Sequence, residues 1–390
     1  MFYIFLLLIL VICSIYEVVN RLTNSKIYYF LLVLLTLVLC FRYMQGTDYP
    51  SYYRMYKLLS PNAGFWVNVL YHGEIGWQDT MILAKRIGLD FFEFIICLSI
   101  IEMFLIHRFI SDFSPYRITS LLLLYPTYYL TYLSSALRQG LVLSIFLGIS
   151  VPLLLKKKYC WYIVSVLLET SFHSASIVLL LLPVAIRFVD FDKSSMLFVF
   201  SMVLSVILFV LALLGLLGGH YSIGVSVLGI LIRVIFFYMI MELYKPIKNS
   251  AFDSIAVPLM IEKEDILYRM YLIGFLISII LMFSDLLSQR LTMPIKAIEI
   301  SLFPLLLNMV SSSGEEKAKG VSYLLIRGNR EKNSIPIFYF IVVAIVCVET
   351  IKNLNSYLIQ GRYYDWVTIW SYPYSNIFDK SLINNFRRYY

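Results

Sequence analysis

Apolar residues come in long unbroken runs along this chain, and polar residues come in short clusters between them. A helix needs about 20 apolar residues to cross a bilayer, with a range of roughly 17–25. Runs of that kind cover 1–19, 27–43, 91–109, 117–132, 135–155, 196–218, 221–244, 266–284, 291–310 and 335–352. The pattern predicts an all-α, polytopic integral membrane protein. Two polar stretches interrupt it at length, 44–90 after the second run and 353–390 at the C-terminal end. The expected plan is a membrane domain, 1–352, carrying an external loop, 44–90, and followed by an external tail, 353–390. No internal repeat is visible.

Basic loops mark the cytoplasmic side. Lys156, Lys157 and Lys158 form the clearest marker, and the loop 311–334 carries Lys317, Lys319, Arg327, Arg330 and Lys332. Arg21 and Lys26 put the first loop inside as well. The N-terminus, the stretch 44–90, the turn near Ser134 and the tail then lie outside. Between the triple lysine and the loop 311–334 the number of crossings must be even. The stretch 159–187 therefore crosses twice or not at all, and two short helices hinged at "TSFHSAS" (170–176) satisfy the count. The total comes to about twelve crossings. The run 1–19 has no basic residue before Arg21. It lacks the positive n-region of a secretory signal and reads as a retained helix.

Composition agrees. The chain is 60% hydrophobic and 14% charged, with a mean hydropathy of +0.81, whereas soluble domains run near 25% charged. The net charge of +8 encodes orientation. No basic run interleaved with aromatics in a soluble domain points to nucleic acid. Cys13, Cys40, Cys97, Cys160 and Cys347 lie in or beside apolar runs without CxxC spacing, which fits packing. His72, His107, His173 and His220 make no ligand pattern. There is no P-loop and no dinucleotide-binding glycine pattern, so no metal or other cofactor is expected.

The residues left to carry chemistry are few. In "FRYMQGTDYPSYYRMY" (41–56), Gly46 and Pro50 break the second helix and Asp48 stands between them. Tyr49, Tyr52, Tyr53 and Tyr56 follow at helical spacing. They suit an aromatic belt at the bilayer interface or a platform for sugar rings. Asp48 suits an N-cap or a polar ligand for an acceptor. Glu74, in "GEIGWQ", precedes an amphipathic surface helix at 76–87. It reads as a cap, a surface carboxylate or a ligand for sugar hydroxyls. Arg138 with Gln139 and Gln289 with Arg290 place arginines at helix ends on the outer side. A guanidinium offers five donors in a rigid fork and suits a lipid diphosphate. Snorkelling to headgroups, or an ion pair such as Arg290 with Asp285, is the plainer use. His173 sits at the hinge with Glu169 four residues earlier, a spacing that faces it if the helix continues. Arg233 lies deep in a span, and the sequence gives it no partner.

These stretches resemble the EpsG family of Wzy-like exopolysaccharide polymerases. The carrying segments are "FRYMQGTDYPSYYRMY", "GEIGWQ", "SSALRQGLVLSIFLGIS" followed by "KKK", "FHSASIVLLLLP", "QRLTMPIKAIEISLFP" and "YPYSNIFDK", in the family's order. The middle, 187–265, carries little of it. The resemblance implies a GT-C-like membrane glycosyltransferase at the outer face of the bacterial inner membrane. It would join lipid-linked repeat units into exopolysaccharide or capsule. Its substrates are oligosaccharides on polyprenyl (undecaprenyl) diphosphate, and its expected partners are chain-length regulator and export proteins. An acidic residue in the first outer loop commonly serves the acceptor in that class, and Asp48 matches the position. Asp48 ranks ahead of His173 as the base, and Arg138 and Arg290 take the diphosphate. A polysaccharide ligase and a lipid-oligosaccharide flippase remain the alternatives. Charges gathered at one face, without repeats, speak against transport.

Overall fold

The computed structural model describes residues 1–21, 23–67, 74–213, 227–251, 258–316 and 329–378. Nineteen residues without a helix breaker form α1 (Phe2–Asn20). Asn24 caps α2 (Ser25–Phe41), accepting the N–H groups of Lys26 and Ile27. Pro50 occupies the first turn of α3 (Tyr49–Leu58), where a missing N–H costs nothing. α4 (Ile75–Arg86) stops at Gly88, whose φ of 87° suits glycine. α5 (Phe91–Phe113) opens on a reciprocal cap between Asp90 and Glu93. α6 (Arg117–Leu124) continues as a π-helix over Tyr125–Leu133, and α7 (Leu137–Ile145) runs through wide turns at Phe146–Ser150 into α8 (Val151–Leu155). α9 (Tyr159–Phe172) breaks at His173, and a 3-10 stretch, Ser174–Leu181, leads to α10 (Leu182–Phe188). There follow α11 (Ser194–Leu213), α12 (Val227–Ala251), α13 (Pro258–Ile280), α14 (Asp285–Lys296), α15 (Glu299–Glu316) and α16 (Asn329–Gln360). The described residues hold no strand; an isolated antiparallel bridge joins Arg42 to Asn376.

The fold is all-helical and polytopic. Among the described residues, six helices are long and apolar enough to cross a membrane: Phe2–Asn20, Phe91–Phe113, Leu137–Leu155, Ser194–Ala212, Val227–Lys248 and Ile337–Gln360. A seventh arises if Leu286–Lys296 and Glu299–Val310, bent by 48°, form one span. The other apolar runs differ for physical reasons. Ser25–Phe41 has 17 residues, about 26 Å of helix, against a hydrocarbon core of about 30 Å. The run 117–132 turns π-helical at Tyr125–Pro126, where proline cannot donate to the preceding turn. Most of the run 266–284 is the apolar end of α13, whose first half carries Glu262, Lys263, Glu264 and Asp265. Lys317, Lys319 and Arg327, the apolar stretch 214–226, the segment 68–73 and the end 379–390 lie outside the described residues.

The chain forms two compact units. The first is Met1–Pro152, Cys160–Ile177 and Val343–Tyr390; the second is Leu153–Tyr159 and Val178–Val342. The topological plan of a membrane domain and a tail thus cuts across these units.

In the first unit, α1 packs on α6 and α2 on α5. At one end, buried Glu17 accepts the N–H groups of Ile118 (3.0 Å) and Thr119 (2.7 Å) and the hydroxyls of Thr119 and Thr23. A carboxylate there satisfies the open N–H groups that start α6. At the other end the tail folds back. Tyr43 N–H donates to the Ser375 carbonyl (2.9 Å) and Ile377 N–H to that of Phe41 (3.0 Å). Tyr374 stacks on Phe2, and the Met1 amine meets the Trp370 carbonyl. The N-terminus, the Arg42–Asp48 turn and the tail therefore share one end of this unit.

The second unit packs α13 against α14 and α11, and α12 against α15. Phe237 lies flat on Phe275 with centroids 4.0 Å apart, and Tyr244 on Tyr268 at 4.2 Å.

Candidate active site

Gly46 begins the site. Its φ is 75°, and a Cβ there would overlap the side chain of Ser135, so only glycine lets the chain turn so closely. The Ser135 hydroxyl accepts the N–H groups of Thr47 (3.0 Å) and Asp48 (3.2 Å). This ties the turn to a residue three positions before Arg138.

α3 then buries one face. Tyr49, Tyr52 and Tyr56 pack with Trp77, Phe91 and Phe94 in an aromatic cluster. The Tyr49 hydroxyl donates to the Arg42 carbonyl (3.2 Å), and that of Tyr56 to the Leu89 carbonyl (2.7 Å). Packing accounts for both. Tyr53 is half-buried against Phe91 and Phe92, with the Lys57 ammonium 4.5 Å from its ring centre. Burial pushes the Tyr56 phenol up to about 12, with Asp90 and Glu93 adding to the shift.

α4 is the amphipathic helix expected at 76–87. Trp77, Gln78, Met81 and Ile82 are buried. Lys85 and Arg86 in its last turn donate to the carbonyls of Leu59, Pro61 and Ala63, where cations also suit the helix dipole. Its first turn lies on the end of α9: a Cβ on Gly76 would overlap the side chain of Ser171.

That contact brings three sequence-distant groups together. The Glu74 carboxylate pairs with Arg138 Nη1 through one oxygen, and its other oxygen lies 3.4 Å from His173 Nδ1. Arg138 Nε donates to the Tyr52 hydroxyl at 3.4 Å, and the guanidinium stands 5.6 Å from that ring's centre. Burial raises the Tyr52 phenol's pKa, and Arg138 pulls against the shift. The Arg138 and Glu74 side chains keep 21% and 18% exposure, and His173 10%. The cluster is thus enclosed but reachable. Arg138 stands in the first turn of α7 and Glu74 just before α4. Two helix N-termini and a guanidinium at one spot favour an anion.

The other candidates fall as follows. Asp48 directly precedes α3, yet its side chain makes no cap; it is exposed and accepts the Thr47 hydroxyl at 3.1 Å. Among the described residues no hydrogen bond or ion pair joins it to Arg138, Glu74 or His173. Gln139 is half-buried beside Arg138. Glu169 does not face His173: the helix breaks at 173, and the buried Glu169 carboxylate takes the Ser150 hydroxyl instead. Gln289 and Arg290 belong to the second unit, where Arg290 is exposed on α14. Arg233 has a partner after all: its Nη1 donates to the Ser288 hydroxyl at 3.0 Å.

Besides Glu17, the buried charged residues Arg42 and Glu102 escape a sequence reading. Arg42 is 1% exposed and donates to the carbonyls of Ser134 (3.0 Å), Leu133 (2.9 Å) and Leu39 and to the Ser99 hydroxyl (2.8 Å). It welds α2, α5 and the turn before α7. Glu102, fully buried on α5, lies against Gly140. The signal for Arg42 was a charge closing an apolar run, but its partners are backbone carbonyls, which no side-chain pattern reveals.

A model of the EpsG family matches residues 25–327. The chain belongs to the EpsG family. No curated protein and no solved structure matches it. The matched region holds Asp48, Glu74, Arg138, His173 and Arg290, while the tail that folds onto Arg42 lies beyond it. EpsG membership supports a role in exopolysaccharide biosynthesis as a polysaccharide polymerase in the broad sense.

Proposed function

We propose that this EpsG protein is a Wzy-type glycosyltransferase of the bacterial inner membrane. It would transfer a growing glycan from polyprenyl diphosphate to a repeat unit on the same lipid, at the outer face, through a GT-C-like fold of about twelve crossings. The carrying observation is the Arg138–Glu74–His173 cluster with Tyr52, enclosed at the end of the first unit that also holds Asp48. Breaking the anomeric C–O bond leaves charge on the diphosphate, and a fixed guanidinium stabilises it. Arg138 is proposed to take that role; Arg290, within the second unit, is proposed to contact a lipid phosphate. An acceptor hydroxyl must lose its proton to a carboxylate or imidazole. Asp48 and His173 are proposed to serve that acceptor, with Tyr53 and Gln139 lining its approach.

Purified protein reconstituted with lipid-linked repeat units tests the reading. Lengthened chains support it. A new acceptor identifies a ligase, and translocation without a new bond identifies a flippase.

A further inference from the structure

We infer that Glu74 is the group that takes the acceptor proton, and that donor binding releases it to do so. The inference rests on the polymerase reading above and gives Glu74 a chemical role within it.

At rest Glu74 neutralises Arg138. A diphosphate carries more charge and more acceptor oxygens than one carboxylate, so it is the better partner for a guanidinium fork. Arg138 remains held by Tyr52 through Nε while Nη1 changes partner. Glu74 then loses its counter-ion, and its other oxygen is already beside His173. A carboxylate that has lost a neighbouring cation is a stronger base. The base becomes active only when the leaving group is in place.

The step balances. The acceptor oxygen bonds to the anomeric carbon, and its proton passes to a Glu74 oxygen. The anomeric C–O bond to the phosphate breaks, and the lipid diphosphate leaves as an anion with the electron pair. His173 is a positioning residue that holds the released carboxylate. Asp48 aligns the acceptor from the exposed turn.

Glu74→Gln separates the two functions, because the amide keeps the shape and loses the charge. The probes are undecaprenyl diphosphate for binding and single-turnover extension of a lipid-linked repeat unit for chemistry. Glu74→Gln is expected to bind undecaprenyl diphosphate at least as tightly as wild type, since the competing carboxylate is gone. Extension is expected to fall by about 10²-fold or more, and Glu74→Asp to restore part of it. Loss of binding together with extension would make Glu74 a mere brace for Arg138 and overturn the inference, as would wild-type extension by Glu74→Gln. Wild-type protein that binds the diphosphate but lengthens no chain would overturn the polymerase reading, and the proton transfer with it. Tighter binding by Glu74→Gln would still establish the exchange at Arg138.

Discussion

Among the described residues each unit holds a cluster of opposite charges, and the two clusters are built differently. In the second unit Arg269 meets Asp265 through Nε at 2.6 Å and Asp190 at 3.6 Å, and donates to the Val189 carbonyl at 2.9 Å. Lys248 meets Asp190 at 3.2 Å and Asp192 at 2.9 Å, and the Tyr244 hydroxyl donates to Asp265 at 2.6 Å. Each cation there has two carboxylates. In the first unit Arg138 has one carboxylate and one phenol, and that carboxylate is shared with a histidine. The second arrangement is a closed lock between α12, α13 and the turn before α11. The first leaves a cation able to exchange its one counter-ion among the described residues. Surplus charge capacity, not the number of charges, separates a site from a brace.

Removing one arginine from each cluster should therefore give opposite results. Arg138→Ala is expected to abolish chain growth while thermal unfolding stays near wild type. A charge-assisted hydrogen bond contributes roughly 1.5–3 kcal/mol, so losing two slows turnover about 10²-fold or more. Arg138→Lys should rescue poorly, because the fork is lost. Arg269→Ala should lower stability by only about 1 kcal/mol, since the pairs it removes are partly exposed and Asp190 and Asp265 keep Lys248 and Tyr244, and leave growth per folded molecule near wild type. Near-normal polymer from Arg138→Ala, measured with the same lipid-linked unit, would reduce it to an anchor and erase the contrast.

Gly76 probes the geometry that opens the first cluster. Gly76→Ala drives a methyl into Ser171 and should shift the first turn of α4 off α9. Overpacking of this kind costs about 1–3 kcal/mol, and a misplacement of about 1 Å can cost up to 10²-fold in rate. The expected outcome is a fall of about tenfold in extension. Gly76→Ala with unchanged extension would show that Glu74 does not depend on this contact for its place.

How far the sequence could carry such an argument depends on the kind of link. The helical class and the amphipathic α4 follow from hydropathy, which acts locally, and the break at His173 from the count of crossings between basic loops. Arg138 was visible as a charge beside an apolar run. Its counter-ion was not, because Glu74 lies 64 positions away and reaches it only because α4 and α7 pack into one core. The spacing from Glu169 to His173 was misleading for a related reason: the last turn of α9 joins them only through the His173 N–H and the Glu169 carbonyl at 2.9 Å, while the Glu169 side chain is taken by Ser150, a partner that packing supplies. Tyr49 and Tyr56 looked like an interface belt, yet the face they share is the one α3 buries.

Arg290→Ala tests whether the second unit contributes a phosphate contact. Arg290 is exposed, so it starts without the desolvation that strengthens Arg138. One charge-assisted bond lost predicts a fall of about tenfold in growth. Unchanged growth would leave Arg290 as an anchor at the lipid headgroups.

The smallest effect belongs to Asp48, and it separates alignment from chemistry. Asp48 is exposed on a turn fixed by Gly46 and Ser135, and its carboxylate meets only the Thr47 hydroxyl among the described residues. It touches neither Arg138 nor His173, so a donor bound at Arg138 does not change its surroundings. A group placed this way can hold an acceptor hydroxyl without sensing the donor. Asp48→Asn keeps hydrogen-bonding atoms in place and removes the charge. It is expected to raise the acceptor KM several-fold while leaving kcat near wild type, the pattern of lost uniform binding. His173→Gln should lower kcat instead, because Glu74 would lose the neighbour that holds it after donor binding. Steady-state extension with varied acceptor, at saturating donor, distinguishes the two variants. A kcat that collapses in Asp48→Asn while Glu74→Gln still extends would move the proton acceptor from the start of α4 to the turn before α3.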